Sequence, residues 1–254
     1  MIRKSDLQGF EIPEHMERLK ATLFADDTCV YLCESDDFAT LQSILDLWCV
    51  AAKAKFNIGK TEIIPIGQLE YRILMVNTYN EQGSWGNYPR GVHVAGERDA
   101  IRILGAFFGN RFEDCAPWTP RVEIVGRALE RWSKGISSLE GRRHSLNISL
   151  GGVTQFLTEV QGMPDEVLAL LIKMERSFFW DDKSYSPVGI EHLYATFEMG
   201  GRKVLDLQTR NEAIGIMWLK DYLNFGPDRP MWAYIADALS HTTHHRQRDQ
   251  VKND

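Results

Sequence analysis

Two adjacent carboxylates, Asp26 and Asp27, stand between the runs Lys20–Ala25 and Thr28–Cys33. Both runs are rich in β-branched and aromatic residues, and a two-residue polar break between such runs predicts a β-hairpin. Asp tolerates the left-handed backbone of a tight turn, so both carboxylates are expected at the hairpin tip. Like charges held that close repel unless a cation neutralises them. Mg²⁺ takes one or two protein carboxylates and fills its other positions with water and phosphate oxygens. The pair suits half of a phosphoryl-transfer metal site. The bland alternative is a solvated polar turn.

The surrounding elements follow from spacing. Glu34-Ser-Asp-Asp37 is a capping signal ahead of a helix over about Phe38–Lys55, with Phe38, Leu41, Leu45, Trp48 and Ala52 on one face. Thr61–Gly67 reads as a short strand. Hairpin, helix and strand are expected to form one small α+β layer. Glu70–Tyr79 fits a helix or a strand, and Asn80–Gly91 reads as a loop. Ile101–Gly109 is apolar with punctuating glycines, the pattern of a strand and turn that approach another backbone closely. From Pro117 the pattern is helical. Val122, Val125, Leu129, Trp132 and Ile136 form one stripe, with Arg127, Arg131 and Lys134 on the outer face. A helix is expected within Ser138–Val160, interrupted at Gly151–Gly152. Others run from Pro164 to about Trp180 and over about Gln208–Asn224. The boundary between the halves is drawn near residues 110–117, giving regions 1–115 and 116–239 and a polar tail, 240–254, expected to be disordered.

The chain has 254 residues, 44 % of them hydrophobic and 25 % charged, ordinary values for a globular protein. No run is long enough for a transmembrane helix, and the N-terminus lacks the apolar segment of a signal peptide. The expected location is intracellular, with no membrane partner. Cys29, Cys33, Cys49 and Cys115 form no C-x-x-C pair and read as small apolar residues, Cys29 and Cys33 on one strand face. The net charge of −6 argues against a free-standing nucleic-acid binder, but residues 117–150 hold six Arg or Lys against three Glu. Trp132, Trp180, Trp218 and Trp232 read as core residues rather than base-stacking ones. His241, His244 and His245 lie in the polar tail with no Cys nearby, a poor zinc set.

Phe24-Ala-Asp-Asp-Thr28 alone is a weak signal. It is followed, in order, by Lys55-Phe-Asn-Ile-Gly-Lys-Thr-Glu62, Arg102-Ile-Leu-Gly-Ala-Phe-Phe-Gly109, Leu139-Glu-Gly-Arg-Arg143, Gly162-Met-Pro164, Phe178-Phe-Trp-Asp181 and Gly200-Gly-Arg-Lys-Val-Leu-Asp-Leu207. This ordered set closely resembles the reverse transcriptase of non-LTR retrotransposons of the fungal type, over about Met1–Leu239. The resemblance implies an α+β fold: the C-terminal part of a polymerase palm, then a mostly α-helical thumb and connection region. It implies RNA-directed DNA polymerase chemistry on an RNA template and DNA primer, with two Mg²⁺ ions about 4 Å apart. In this likeness Asp26, with Asp27 beside it, corresponds to the metal-binding palm carboxylate. Lys60 corresponds to the lysine near the triphosphate, a proton donor to the pyrophosphate leaving group. Leu104 and Gly105 correspond to the turn that grips the primer end. Arg127, Arg131 and Lys134 would face the template–primer duplex. A working element protein of this kind would be nuclear.

The chain departs from the family in one respect. The family's site needs a further aspartate on an earlier palm strand, and Asp6 lies in the wrong local context to supply it. Two carboxylates from one turn do not clamp two ions, so the chain alone is expected not to polymerise. It reads as a fragment, with an upstream polymerase segment as a candidate partner. The alternatives are a non-catalytic binder of RNA or RNA–DNA duplex, or a transposon remnant without function. A nuclease reading lacks a further acidic cluster.

Overall fold

The computed structural model describes residues 1–12, 18–82, 90–135, 138–181 and 187–240. Ile136, most of the expected 80–91 loop and the three tail histidines lie outside them. The fold is α+β, and the chain divides into two compact units: Met1–Glu97 with Leu219–Asp254, and Arg98–Trp218.

In the first unit, β1 (Ala21–Phe24) and β2 (Asp27–Val30) pair antiparallel with Phe24 opposite Asp27. Cys33 therefore lies beyond the strand, and all four cysteines are half-buried free thiols. Helix α1 (Phe38–Ala52) is capped by Asp37, whose carboxylate accepts the Ala39 N–H at 3.1 Å. Of the predicted stripe only Leu41 is fully buried, and Trp48 is exposed, its ring tilted against that of Phe56. The predicted strand at 61–67 shrinks to β3 (Glu62–Ile63), with Pro65 just beyond it unable to donate to a ladder. The segment left open at 70–79 is helical, as α2 (Leu69–Gln82), and β4 (His93–Val94) pairs parallel with β3. The expected single layer is thus corrected: β3 joins β4, not the hairpin. Tyr79, Val92 and Val94 form the small core beneath α2. Arg72 of α2 binds Glu97 through two bonds, at 2.6 and 3.1 Å, and also donates to the Gly67 carbonyl. Residues 231–240 are helical, and Asp237 accepts from both Tyr222 (2.6 Å) and Arg229 (2.7 Å).

The second unit opens with a second hairpin, β5 (Ile101–Ile103) and β6 (Ala106–Phe108), which the boundary expected near 110–117 had assigned to the first region. The helices are α3 (Thr119–Ser133), α4 (Leu139–Leu146), α5 (Gly152–Gln161), α6 (Asp165–Phe179), α7 (Ile190–Tyr194) and α8 (Leu207–Tyr222), the last running on into the first unit. Gly151–Gly152 does not interrupt the helix as predicted. A single π-turn, Asn147–Gly151, joins α4 to α5. Each helical Gly costs about 1 kcal/mol. Burial of Leu146, Leu150 and Leu157 on the same side outweighs it. Asn147 in this turn accepts the Leu205 N–H at 3.0 Å, which ties the 203–205 segment to the helix pair. Val125, Leu129, Leu171, Phe179 and Leu207 complete one core with the buried Trp118. The tryptophan reading is corrected in part: Trp132 and Trp218 are exposed, Trp180 and Trp232 half-buried, and among the described residues Trp118 is the fully covered one.

Candidate functional site

The acidic hairpin carries its carboxylates differently from the sequence expectation. The two-residue turn is Ala25–Asp26, because the ladder closes at Phe24 and Asp27 and Ala25 takes the left-handed conformation (φ 51°). Asp26 therefore sits at the tip, and Asp27 opens β2 with its side chain on the Phe24 face. Both are exposed, and neither side chain has a hydrogen-bond or ion-pair partner among the described residues. The tip is bare on both faces: Leu23 is 62 % and Phe24 67 % exposed.

Lys60 ends a 3-10 turn, Ile58–Lys60, and is exposed, with no side-chain bond among the described residues to either aspartate. Among those residues no group of three or more His, Cys, Asp or Glu is placed to hold a metal ion. The two carboxylates suit one hydrated Mg²⁺ shared with phosphate oxygens. They do not fit a two-ion clamp.

Asp36, read from sequence only as part of a capping signal, fixes the base of this hairpin. Its carboxylate accepts the N–H groups of Gln8 (2.6 Å), Gly9 (2.9 Å) and Cys33 (2.9 Å), joining the first segment to the chain leaving β2. Partial burial works against its charged form. The backbone bonds from Gln8, Cys33 and Gly9 outweigh that and hold its pKa below the usual value. A depressed carboxylate stabilises the fold above its unfolded pKa, and that stability is lost as the pH falls through the folded pKa. Asp36→Ala is expected to destabilise the first unit by about 1–2 kcal/mol at neutral pH, discounted for solvent access. Urea unfolding at neutral and acid pH would show the gap between the two proteins closing in acid.

The second hairpin places Leu104 and Gly105 as its two-residue turn, with Ile103 opposite Ala106. Both have positive φ, 51° and 88°, the arrangement of a type I′ turn. Leucine pays about 1–2 kcal/mol for that conformation, and Leu104 is 48 % exposed, so its own burial does not repay the cost. Gly105 has a closer reason: a Cβ there would lie 2.9 Å from the Phe156 ring of α5. Gly109 at the hairpin base is tighter still, since a Cβ would meet the Asp99 carbonyl oxygen at 1.9 Å. The close approach to another backbone expected of this glycine-punctuated run is present at Gly109, whereas the neighbour of Gly105 is a side chain.

Arg127 and Arg131 lie on the exposed side of α3, and Lys134 just follows it. Much of the local basic excess is met from within. Arg127 pairs with Glu123 (3.6 Å) and Lys134 with Glu130 (3.1 Å). Arg142 caps α6 through the Phe178 carbonyl (2.8 Å) and pairs with Asp181 (2.9 Å), and Arg143 pairs with Glu140. Arg121 and Arg131 remain without an ion pair among the described residues. Such exposed pairs are worth under about 1 kcal/mol, so Arg127 and Lys134 can still turn to a phosphate at small cost.

No protein-family model matches the chain, and no curated protein matches it. Among the described residues no helix is long and apolar enough to cross a membrane.

Proposed function

We propose that this chain is part of a reverse transcriptase of the non-LTR retrotransposon type, comprising the C-terminal portion of the palm and the thumb. In this reading it holds an RNA template–DNA primer duplex and does not extend the primer by itself. One observation carries the reading. Two motifs of the ordered set each fall at or beside the tip of a two-stranded antiparallel hairpin, Asp26 in one and Leu104–Gly105 in the other. A hairpin tip is where a side chain or a backbone can reach a phosphate-bearing ligand without a β-ladder in the way.

In this reading Asp26 and Asp27 present acceptor oxygens toward the triphosphate end of the reaction, and Lys60 supplies a cation near it. Leu104 and Gly105 bear on the primer strand. Arg121, Arg127 and Arg131 of α3 meet the duplex backbone. The second reading, a non-catalytic duplex binder, is favoured by the lack of a third acidic ligand among the described residues.

Gel shifts of a labelled RNA–DNA duplex at several salt concentrations test the proposal. Affinity is expected to fall steeply with salt, and Arg131→Ala to reduce the log–log slope by about 1. Salt-independent association, or none, would remove the nucleic-acid reading altogether. Duplex binding with equal affinity for blunt and recessed ends would favour the plain binder.

A further inference from the structure

We infer that Gln161, the last residue of α5, is a positioning residue for the Leu104–Gly105 turn; the inference rests on the reading of that turn as the contact to the primer strand. Hairpin β5–β6 has only two strands, so β6 presents one unpaired edge. Around a two-residue loop, Arg102 and Phe107 face one another at a non-hydrogen-bonded position. The N–H and C=O of Phe107 therefore point away from β5. The Gln161 side chain meets both: Phe107 N–H donates to Oε1 at 2.9 Å, and Nε2 donates to the Phe107 carbonyl at 3.0 Å. A primary amide offers a donor and an acceptor side by side, as the peptide of a third strand would.

The same helix supports the tip, because the Phe156 ring lies under Gly105. Helix α5 thus holds the hairpin at mid-strand through Gln161 and at the turn through Phe156. Gly162, with φ 74°, ends α5 directly after Gln161 and fixes where that side chain begins. Helix α5 also packs against α3, which carries Arg127 and Arg131. The turn and the basic helix are thus connected through α5 within one unit.

The test uses the full 254-residue chain with Gln161→Met and Gln161→Glu. Methionine keeps the length of the side chain and removes both bonds. Glutamate keeps the acceptor, and regains a donor only when protonated. Amide hydrogen exchange at Phe107 and Phe108, expressed as protection factors, reads the clamp. Protection is expected to drop roughly tenfold in Gln161→Met. In Gln161→Glu, which keeps an acceptor for the Phe107 N–H, it should fall less than in Gln161→Met. Binding to recessed against blunt RNA–DNA duplex reads the function. Gln161→Met should lose the preference for the recessed 3′ end while keeping the wild-type salt slope, which reports the arginines of α3. Unchanged protection overturns the inference, and so does lost protection with the end preference intact. In both cases the duplex reading survives. A wild-type chain that binds duplex without end preference, or binds none, overturns the reading of the turn and this inference with it.

Discussion

Between about pH 5 and about pH 8 the wild-type chain is expected to lose several kcal/mol of stability in its helical unit, and Glu175→Gln to abolish most of that slope. Glu175 is on α6, fully buried within the helical core. Tyr194 of α7 donates to its Oε2 at 2.9 Å, and Oε1 has no hydrogen-bond partner among the described residues. Burial pushes the carboxyl from its ordinary 4.5 up to about 8; the Tyr194 bond opposes this and the charge of Asp206 adds to it. Over that interval the folded chain keeps a proton that the unfolded chain has released. A group with a raised folded pKa contributes its stability fully below its unfolded pKa, and that stability is lost as the pH rises through the folded value. The shift corresponds to about 4–5 kcal/mol as an upper bound.

Glutamine keeps an acceptor for Tyr194 and cannot ionise. Its amide N–H groups would be unsatisfied beside the position of Oε1, a cost of about 1–3 kcal/mol. The two stability curves should therefore cross. Wild type is the more stable near pH 5 and Gln the more stable near pH 8, each pH being approximate. Denaturant unfolding followed by far-UV circular dichroism, which is dominated by the helices, measures both. Parallel curves for the two proteins would show that Glu175 does not titrate across this range.

Gly109→Ala is expected to cost about 2–4 kcal/mol and to open the base of hairpin β5–β6. The added methyl would have to displace the Asp99 carbonyl, which is main chain and has no rotamer to move to. Relief requires a shift of the 98–110 closure, where Arg98 N–H donates to the Asn110 carbonyl at 2.7 Å. The turn would move away from Phe156 and the Gln161 clamp would be stretched. Thermal unfolding and the exchange of the Phe107 amide should report the change together. A variant of unchanged stability would mean that the backbone at Gly109 is not held against Asp99.

Local patterns were legible where local chemistry decides the outcome. The 3,4 spacing of Val125 and Leu129 gave the buried face of α3, and the Asp37 cap gave the start of α1. The acidic hairpin was legible but offset by one residue, because Ala25 rather than Asp27 occupies the turn. Spacing did not predict which stripe finds a partner: Trp48, Trp132 and Trp218 sit in apolar patterns and remain exposed. Glu175 left a usable trace, lying four residues after Leu171 and three before Phe178 on the inward face of α6. Gln161 left none. Its partner is the main chain of Phe107, 54 residues earlier, and main chain has no sequence signature.

Primer extension separates holding the duplex from copying it. The 254-residue chain is given an RNA template annealed to a labelled DNA primer, deoxynucleoside triphosphates and Mg²⁺ or Mn²⁺, and bound and extended primer are resolved together. The protein is expected to retain the duplex, less so as salt rises, and to leave the primer unextended. Extension that disappears in Asp26→Ala would contradict the incomplete metal site. Failure to retain the duplex at low salt would contradict the palm-and-thumb reading itself.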